Sequence, residues 1–196
     1  DYGNYTVSLI VSDGTFADTL VNTGFIDVPN YILMHSGNVT ISDNIYLYDS
    51  GGPNGKYGIN ENYTLVFYPS ISGASIKLDF ISFESESNFD KLNIYNGVNS
   101  SATHLATQTG TIYTTTLQAT NASGALCAHF KSDNSGNRSG WTAMVTEVLP
   151  KAAFTASDTL VFVNSDIAFT DASILAGLNA WSWDFGDGTT STDQNP

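Results

Sequence analysis

The sequence predicts an all-β protein built from antiparallel sandwiches. Short runs alternate apolar and polar residues, as at 5–11 and 76–80, and aromatic and β-branched residues dominate these runs. Clusters of Gly, Asn, Ser and Asp lie between the runs, for example at 50–55, and such clusters are typical of turns. The best helical segment, 173–180, is short and broken by Gly177. Strands joined by tight turns are therefore expected along the whole chain.

The alternation of apolar and polar residues indicates where the strands lie along the chain. The first run, Tyr5, Val7, Leu9 and Val11, puts these four side chains on one face. The later runs repeat the pattern with period 2 and lie at 63–67, 76–80, 92–94, 126–130 and 141–145.

Two prolines divide the chain. Val28-Pro29 and Leu149-Pro150 each place a proline after an apolar strand ending, where it stops ladder pairing and stiffens the junction. We therefore expect three segments, 1–28, 29–149 and 150–196. The outer two are too small to bury a core alone, whereas the middle one has the size of an ordinary domain.

Composition and charge exclude several classes of function. The chain of 196 residues is 41% apolar but only 13% charged, with 19 acidic and 6 basic residues and a net charge of −13. This balance argues against binding to nucleic acid or to an anionic membrane surface. It favours divalent cations, basic partners or neutral polar ligands such as glycans. No apolar run is long enough to span a bilayer, and the single cysteine, Cys127, excludes an intrachain disulfide and a cysteine-rich zinc site.

The middle segment carries a family resemblance. The stretches that carry it are 48–54 and 57–65, then 76–90 with its Glu and Asp residues, and finally 130–135 followed by Gly140-Trp141. From about residue 36 to 148 the chain resembles a CUB domain of the bacterial, disulfide-free type. The resemblance implies a jelly-roll-like sandwich of two antiparallel sheets. Without disulfides, burial and any bound metal must stabilise this copy.

The same resemblance implies a calcium site at one end of the sandwich. Carried over residue by residue, it assigns the metal ligands to Glu86, Asp90, Asp133, Asn134 and Ser135, with Tyr57 in support. The chemistry agrees, because Ca²⁺ takes about six to eight oxygen ligands, and three converging carboxylates without a cation would raise one another's pKa values. The alternative is that these acidic loop residues are solvated or cap turns.

The outer segments resemble two parts of one other domain type. Residues 180–188 read Ala-Trp-Ser-Trp-Asp-Phe-Gly-Asp-Gly and resemble the signature of the PKD domain, an Ig-like sandwich. The residues that carry this signature are Trp183, Asp184, Gly186, Asp187 and Gly188. Residues 3–11 and 25–28 resemble the closing strands of the same family. We expect each part to complete a neighbouring module in a tandem array; alternatively, both parts meet within one chain.

No catalytic motif is found. His35, His104 and His129 fit no His-Glu-x-x-His pattern, and a Cys127–His129 pair inside a strand lacks the cleft that a nucleophile needs. Glu86 with Asp90 or Glu84 resembles a glycosidase carboxylate pair only loosely.

The sequence therefore predicts non-catalytic, calcium-binding adhesion or spacer modules of a large secreted or cell-surface protein, of bacterial type and located outside the cell. The expected partners are a protein or glycan ligand at the calcium edge, and neighbouring modules or adjacent subunits. Two alternatives stay open. These segments could be accessory, substrate-targeting modules of a secreted protease or glycoside hydrolase, or the chain could be a filament subunit joined end to end.

Overall fold

All regular structure in the described part of the chain is β-strand. The structure is a computed structural model and describes residues 2–173 and 180–196. The predicted all-β class is confirmed. The helical segment considered at 173–180 lies almost entirely outside the described residues. Within them, no helix is long and apolar enough to cross a membrane.

The strands follow one another closely along the chain. In chain order they are β1 (Gly3–Ser12), β2 (Ala17–Val28), β3 (Tyr31–Leu33), β4 (Gly37–Ile41), β5 (Ile45–Tyr48), β6 (Asn62–Pro69), β7 (Ser75–Glu84), β8 (Lys91–Asn96), β9 (Thr103–Gln108), β10 (Thr111–Ile112), β11 (Thr115–Gln118), β12 (Leu126–Lys131), β13 (Gly140–Val148), β14 (Phe154–Ala156), β15 (Phe169–Asp171), β16 (Trp183–Asp184) and β17 (Thr190–Ser191).

The strands from β3 to β13 form a sandwich of two sheets. The first sheet has the order β10-β7-β13-β5-β3, and β11 also pairs with β7. The second sheet has the order β4-β6-β12-β8-β9. The remaining strands form three separate two-stranded pairs, β1 with β2, β14 with β15, and β16 with β17.

Two pairings in the sandwich are parallel, unlike the antiparallel pairing expected throughout. β3 pairs in parallel with β5, and β4 pairs in parallel with β6. The cause is the path of the chain, which visits the two sheets alternately from β3 to β6. Because the chain turns back at each crossing, every second strand runs in the same direction, and these strands lie side by side in their sheet.

The core lies between the two sheets and is rich in aromatic rings. Trp141 on β13 stacks on Phe83 with ring centroids 5.6 Å apart and meets the edge of Phe130 at 4.8 Å. The ring of Tyr57 then packs against Phe130 at 5.1 Å. Burial of each such side chain stabilises the fold by about 1.5–3 kcal/mol. This row of rings runs from the centre of the core to the loop that contains Tyr57.

The outer segments leave most of their apolar side chains exposed. In the β1–β2 hairpin, Leu9 lies opposite Leu20, and both remain about 60% exposed (61% and 59%). The buried cluster of the sandwich includes no residue of 2–28 or of the described part of 150–196. A two-stranded hairpin is marginally stable by itself. The first alternating run is therefore a strand, as predicted, but no buried cluster of the described residues covers its apolar face.

Candidate metal centre at one end of the sandwich

Three loops meet where strands of both sheets end. They are the loop before β6, the loop between β7 and β8, and the loop between β12 and β13. Hydrogen bonds join them: the N–H of Asn60 donates to the carbonyl of Asp133 at 2.6 Å, and the N–H of Asp133 donates to the side-chain oxygen Asp90 Oδ1 at 2.9 Å. Residues far apart in sequence are thereby fixed next to one another.

Three carboxylates converge at this junction. Glu86, Asp90 and Asp133 each place one oxygen within 4.8 Å of the other two. Calcium lies about 2.3–2.6 Å from its oxygen ligands, so two oxygens on one ion can be no more than about 5 Å apart. The measured separations satisfy this limit. The three residues that the sequence predicted as carboxylate ligands are therefore brought together.

Glu86 carries a polar atom without a partner. Its Oε2 is buried and accepts no hydrogen bond from any described residue. A buried carboxylate oxygen without a donor or a cation is costly. Gly136, in the left-handed region with φ of 73°, lies directly against this carboxylate, and a Cβ there would overlap it. The donor set and this buried oxygen both fit a hard divalent cation.

Asp90 is fully buried, and its two carboxylate oxygens accept hydrogen bonds from the Asp133 N–H and from the Tyr57 hydroxyl. Tyr57 donates its hydroxyl to Asp90 Oδ2 at 2.6 Å, and the Tyr57 oxygen accepts the N–H of Glu86 at 3.0 Å. Burial, followed by the hydrogen bond to Asp90, raises the pKa of the Tyr57 phenol far above its usual range. The phenol therefore stays protonated at physiological pH and always acts as a donor to Asp90.

The short spacing between Glu86 and Asp90 is accommodated by a tight turn. The N–H groups of Phe89 and Asp90 both donate to the carbonyl of Glu86, at 3.2 and 3.0 Å. Asn88 adopts a left-handed conformation with φ of 69°, which closes the turn. Ser85 then donates its hydroxyl to the carbonyl of Asp90 at 2.9 Å. Three intervening residues are thus enough to bring both carboxylates to the same point.

Asn134 and Ser135 follow Asp133 in an exposed turn. The N–H of Ser135 donates to Asp133 Oδ1 at 2.9 Å, which is the common arrangement of an Asx turn. The structure thus shows how this turn orients Asp133. A direct ligand role for Asn134 and Ser135 stays a prediction.

A second pair of acidic residues, which the sequence did not reveal, lies beside the same loops. Asp49 is buried, accepts the N–H groups of Gly51 and Trp141, and packs against Gly140. Burial raises the pKa of Asp49 to about 6, against these two hydrogen bonds, which lower it. Asp49 directly follows β5 and precedes the glycine-containing turn at 50–55. In the sequence, only this position could have indicated that Asp49 binds backbone N–H groups of a turn.

Glu61 is the other member of this pair. Its Oε1 accepts the Ser50 hydroxyl at 2.6 Å and the Gly58 N–H at 2.9 Å, whereas its Oε2 is buried without a described partner. Ser132 ties the same loop to β12 by donating to the carbonyl of Gly58 at 2.8 Å. These contacts fix the loop that contains Tyr57.

The alternative nucleophile pair occupies a strand. Cys127 is buried, and burial raises the pKa of its thiol, which disfavours the reactive thiolate. The Nε2 atom of His129 pairs with Asn62 Oδ1 at 2.8 Å. Glu84, the other carboxylate considered for catalysis, accepts the hydroxyl of Ser139.

The signature residues in the C-terminal segment form a tight hairpin turn. Trp183 and Asp184 make up β16, and the chain returns through Gly186 and Gly188, whose φ values are 80° and 92°. Asp187 Oδ1 accepts the N–H of Thr189 at 2.8 Å and its hydroxyl at 2.6 Å. These two bonds lower the pKa of Asp187. The glycines are needed here because the turn requires positive φ.

The central part of the chain is similar to known proteins. Residues 55–144 match the family model of the CUB domain. The full extracellular region of zebrafish Gpr126/Adgrg6 is similar, with 18% identity and a TM-score of 0.50 over 61% of this chain and 16% of that one. This likeness shows the fold alone.

Two further solved structures are similar at lower scores. The CUB1-EGF-CUB2 domain of human MASP-1/3 has 18% identity and a TM-score of 0.49 over 62% of this chain and 45% of that one. The MASP-1 CUB2 domain bound to Ca²⁺ has 20% identity and a TM-score of 0.46 over 56% of this chain and 97% of that one.

Proposed function

We propose that the central part of the chain, where residues 55–144 match the family model of the CUB domain, is a non-catalytic recognition module that binds calcium. CUB domains are often calcium-binding adhesion or recognition modules and are generally non-catalytic. The single observation that supports calcium here is the convergence of Glu86, Asp90 and Asp133 within 4.8 Å, with Glu86 Oε2 buried and unpartnered.

The chain's own residues would hold the ion in a pre-formed site. Glu86, Asp90 and Asp133 would supply carboxylate oxygens, and oxygens of Asn134 and Ser135 would complete the shell. Tyr57 would keep Asp90 oriented through its hydroxyl. When bound, calcium offsets the mutual repulsion of the carboxylates and cross-links three loops. A site whose groups are already oriented loses little conformational entropy on binding.

Thermal unfolding with calcium and with chelator tests this proposal. A ligand that binds only the folded state stabilises it, by about 2.7 kcal/mol at a hundredfold excess over Kd. The midpoint should therefore rise by roughly 5–10 °C for a domain of this size. Asp133→Asn should abolish the rise. Asp43→Asn, which removes an exposed carboxylate from another loop, is the matched control and should keep it.

An unchanged midpoint across millimolar calcium would refute the calcium proposal. An equal rise in wild type and in Asp133→Asn would show that calcium binds elsewhere on this acidic chain, which would also refute the site. Magnesium serves as a second cation. Because it demands a smaller octahedral shell, it should stabilise the protein less than calcium does.

We also propose that this edge contacts a protein or glycan partner outside the cell. CUB domains mediate protein interactions and are typical of extracellular proteins. With a net charge of −13, the chain suits a partner that presents a lysine or a polar sugar. The presence of one cysteine, too few for any intrachain disulfide, supports a bacterial surface protein.

The outer segments, 1–28 and 150–196, are proposed as parts of PKD-like modules that act as spacers. The observation in favour is that both carry an uncovered apolar face. In the C-terminal segment Phe154, Phe169, Trp183 and Phe185 form one aromatic cluster, with centroids 5.2–6.4 Å apart where they pair. Phe154 is still 61% exposed. Strands of a neighbouring module would cover these faces.

Hydrogen exchange on this chain and on a longer chain that includes its neighbours in the parent protein tests the spacer proposal. Amides of β1 and β2 should exchange quickly in the first and slowly in the second, because pairing protects them. Fast exchange in both would contradict it. The solution mass of this chain should correspond to a monomer. A mass that grows with concentration would favour the filament alternative instead.

A further inference from the structure

Two lysines lie directly opposite each other on the outer face of the second sheet. Lys91 at the start of β8 is the cross-strand partner of Lys131 at the end of β12. Directly opposite side chains have Cβ atoms about 4.5–5.5 Å apart, and like charges in this position destabilise a sheet. The chain has only 6 basic residues. Placing two of them face to face therefore lowers the local stability of the sheet through charge repulsion, and the fold does not require this arrangement.

No acidic side chain neutralises this pair. In the ranges that the structure describes, the only ion pair joins Lys77 to Asp79. Both Lys91 and Lys131 are exposed, and neither makes a hydrogen bond with its side chain to a described residue. In a protein with a net charge of −13, two ammonium groups side by side without an ion-pair partner form a small positive region. Their six N–H donors are available to an anion from solution.

The lysine pair lines a groove that reaches the metal centre. The groove has a volume of about 640 Å³, within the range of small-ligand pockets. Its one phenyl ring is that of Phe89, and its polar walls come from Asn60, Asn93, His129, Ser132, Asp133 and Asn134. Phe89 is 64% exposed although its neighbour Asp90 is fully buried. The tight turn that orients Glu86 and Asp90 thus also presents an aromatic ring to solvent.

We propose that this groove binds a carboxylate-bearing sugar, of the uronic acid class. Lys91 and Lys131 would receive the carboxylate between their ammonium groups. Asn60, Asn93 and Asn134 would bond ring hydroxyls, because side-chain amides both donate and accept. The exposed face of Phe89 would pack against the sugar ring. The Asn93 Oδ1 already accepts the Thr107 hydroxyl at 2.6 Å, which leaves its NH₂ group as the donor for a ligand.

The groove suits a sugar better than an acidic peptide. It lies on the face of the sheet, where the backbone groups of β8 and β12 are already paired with each other and with adjoining strands. An extended peptide gains affinity from free backbone groups at a sheet edge, and none is offered here. The contacts available for binding are mainly side-chain amides, the phenyl ring of Phe89 and two cations. A peptide with several acidic residues would also meet more repulsion from the acidic chain than a sugar with a single carboxylate does.

The lysine site does not need the metal, but the two sites would influence each other. Asp133 lines the groove, so its negative charge opposes an anion. Calcium held by Asp133 would offset that charge. The affinity for the sugar should therefore depend on the two lysines both with calcium and with chelator. An increase in this affinity on adding calcium, in contrast, rests on the proposed calcium site. Failure of one proposal can thus be told apart from failure of the other.

Titration of the backbone amide signals by NMR tests the inference, with methyl glucuronide as the probe and methyl glucoside as its neutral counterpart. We expect the glucuronide to shift the amides of Lys91, Asn93 and Lys131. Lys91→Gln and Lys131→Gln should each weaken binding about fivefold, and the double variant should abolish it. Both lysines are exposed, so these variants should fold. Lys56→Gln, an exposed lysine in another loop, should leave the affinity unchanged.

Four results would overturn the proposal. They are equal binding of the glucoside, equal shifts with acetate alone, tighter binding of triglutamate than of the glucuronide, and an unchanged affinity in the double lysine variant. Equal binding of the glucoside would show that the carboxylate is not recognised, and equal shifts with acetate would show that the sugar ring is not. Tighter binding of triglutamate would identify a peptide site. An unchanged affinity in the double variant would show that the sugar binds elsewhere.

Discussion

Tyr57 and Asp90, 33 positions apart in sequence, are joined by a buried hydrogen bond of 2.6 Å. The bond connects two different regions of the domain. On one side, the Tyr57 ring packs on Phe130 within the core. On the other, the Asp90 carboxylate faces Glu86 and Asp133. The geometry of the candidate metal centre is therefore tied to the packing of the core, so the two should respond together to substitution.

Tyr57→Phe should test this connection. The change keeps the ring but leaves one Asp90 oxygen and the N–H of Glu86 without a partner. Loss of a buried donor of this kind costs about 1–3 kcal/mol. We expect that loss in the free energy of unfolding in urea with chelator present. The affinity for calcium, measured by calorimetry, should also fall, because Asp90 is less well oriented.

Tyr63→Phe is the control for this comparison. Tyr63 packs against the same core, and its hydroxyl makes no hydrogen bond to a described residue. The Tyr63→Phe substitution should therefore change the free energy of unfolding by less than about 0.5 kcal/mol. If both tyrosine variants lose equal stability, the Tyr57–Asp90 bond has no special role.

Gly136→Ala should weaken calcium binding through a steric effect. A Cβ at this position would overlap the Glu86 carboxylate and push it away from Asp90 and Asp133. Gly73→Ala is a matched control, because Gly73 also has positive φ, at 83° against 73°, but has open space around its Cβ position. Both variants should lose about 1 kcal/mol of stability from backbone strain.

The difference between the two glycine variants should appear only in the metal titration. We expect calcium affinity to fall at least about tenfold in Gly136→Ala and to stay unchanged in Gly73→Ala. Equal affinities, measured by calorimetry under the same conditions, would show that Glu86 does not contribute a ligand.

Asp49 should make stability depend on pH. Burial raises its pKa from 3.8 to about 6 in the folded protein, so the folded state binds the proton more tightly than the unfolded state does. Its stabilising contribution is complete below pH 4 and is lost as the pH rises towards about 6. Relative to Asp49→Asn, wild type should lose on the order of 1–2 kcal/mol over this range after solvent screening is allowed for.

Chemical unfolding at several pH values in calcium-free buffer measures this difference. The test uses only how the difference in free energy of unfolding between wild type and Asp49→Asn changes with pH, because other carboxylates titrate in both proteins. A constant gap from pH 4 to pH 7 would mean that Asp49 titrates in the folded protein as it does in the unfolded chain.

The sequence was informative where local pattern decides the structure. Alternation predicted the all-β class, and the resemblance to the CUB family assigned Glu86, Asp90 and Asp133 to a metal site, where the fold does bring their carboxylates together. Other features depend on contacts between distant residues. The packing of Gly136 on Glu86 and of Gly140 on Asp49 joins different loops. No periodicity encodes such contacts, since each depends on how the two sheets align.

The path of the chain between the sheets was likewise not predictable from alternation. Period 2 indicates which side chains share a face but not which strands are neighbours. The parallel pairing of β3 with β5 follows from the chain crossing between sheets, a topological choice. Similarly, the cross-strand pairing of Lys91 with Lys131 requires the register of β8 against β12, which only the structure gives.

Removal of both outer segments should leave the sandwich intact. Its buried cluster contains only residues between Met34 and Val145, and the partly buried residues that pack on it, such as Ile32, also lie within the central segment. A chain of residues 29–149 should therefore unfold in a single cooperative transition, within about 3 °C of the corresponding transition in the full chain.

The shortened chain should also keep the response to calcium, because the residues at the metal centre all lie within it. Circular dichroism on heating, with calcium and with chelator, measures both properties. A midpoint lowered by about 10 °C or more, or loss of cooperative unfolding, would show that the outer segments support the central fold through contacts beyond its own core. The boundaries at Pro29 and Pro150 would then not separate independent units.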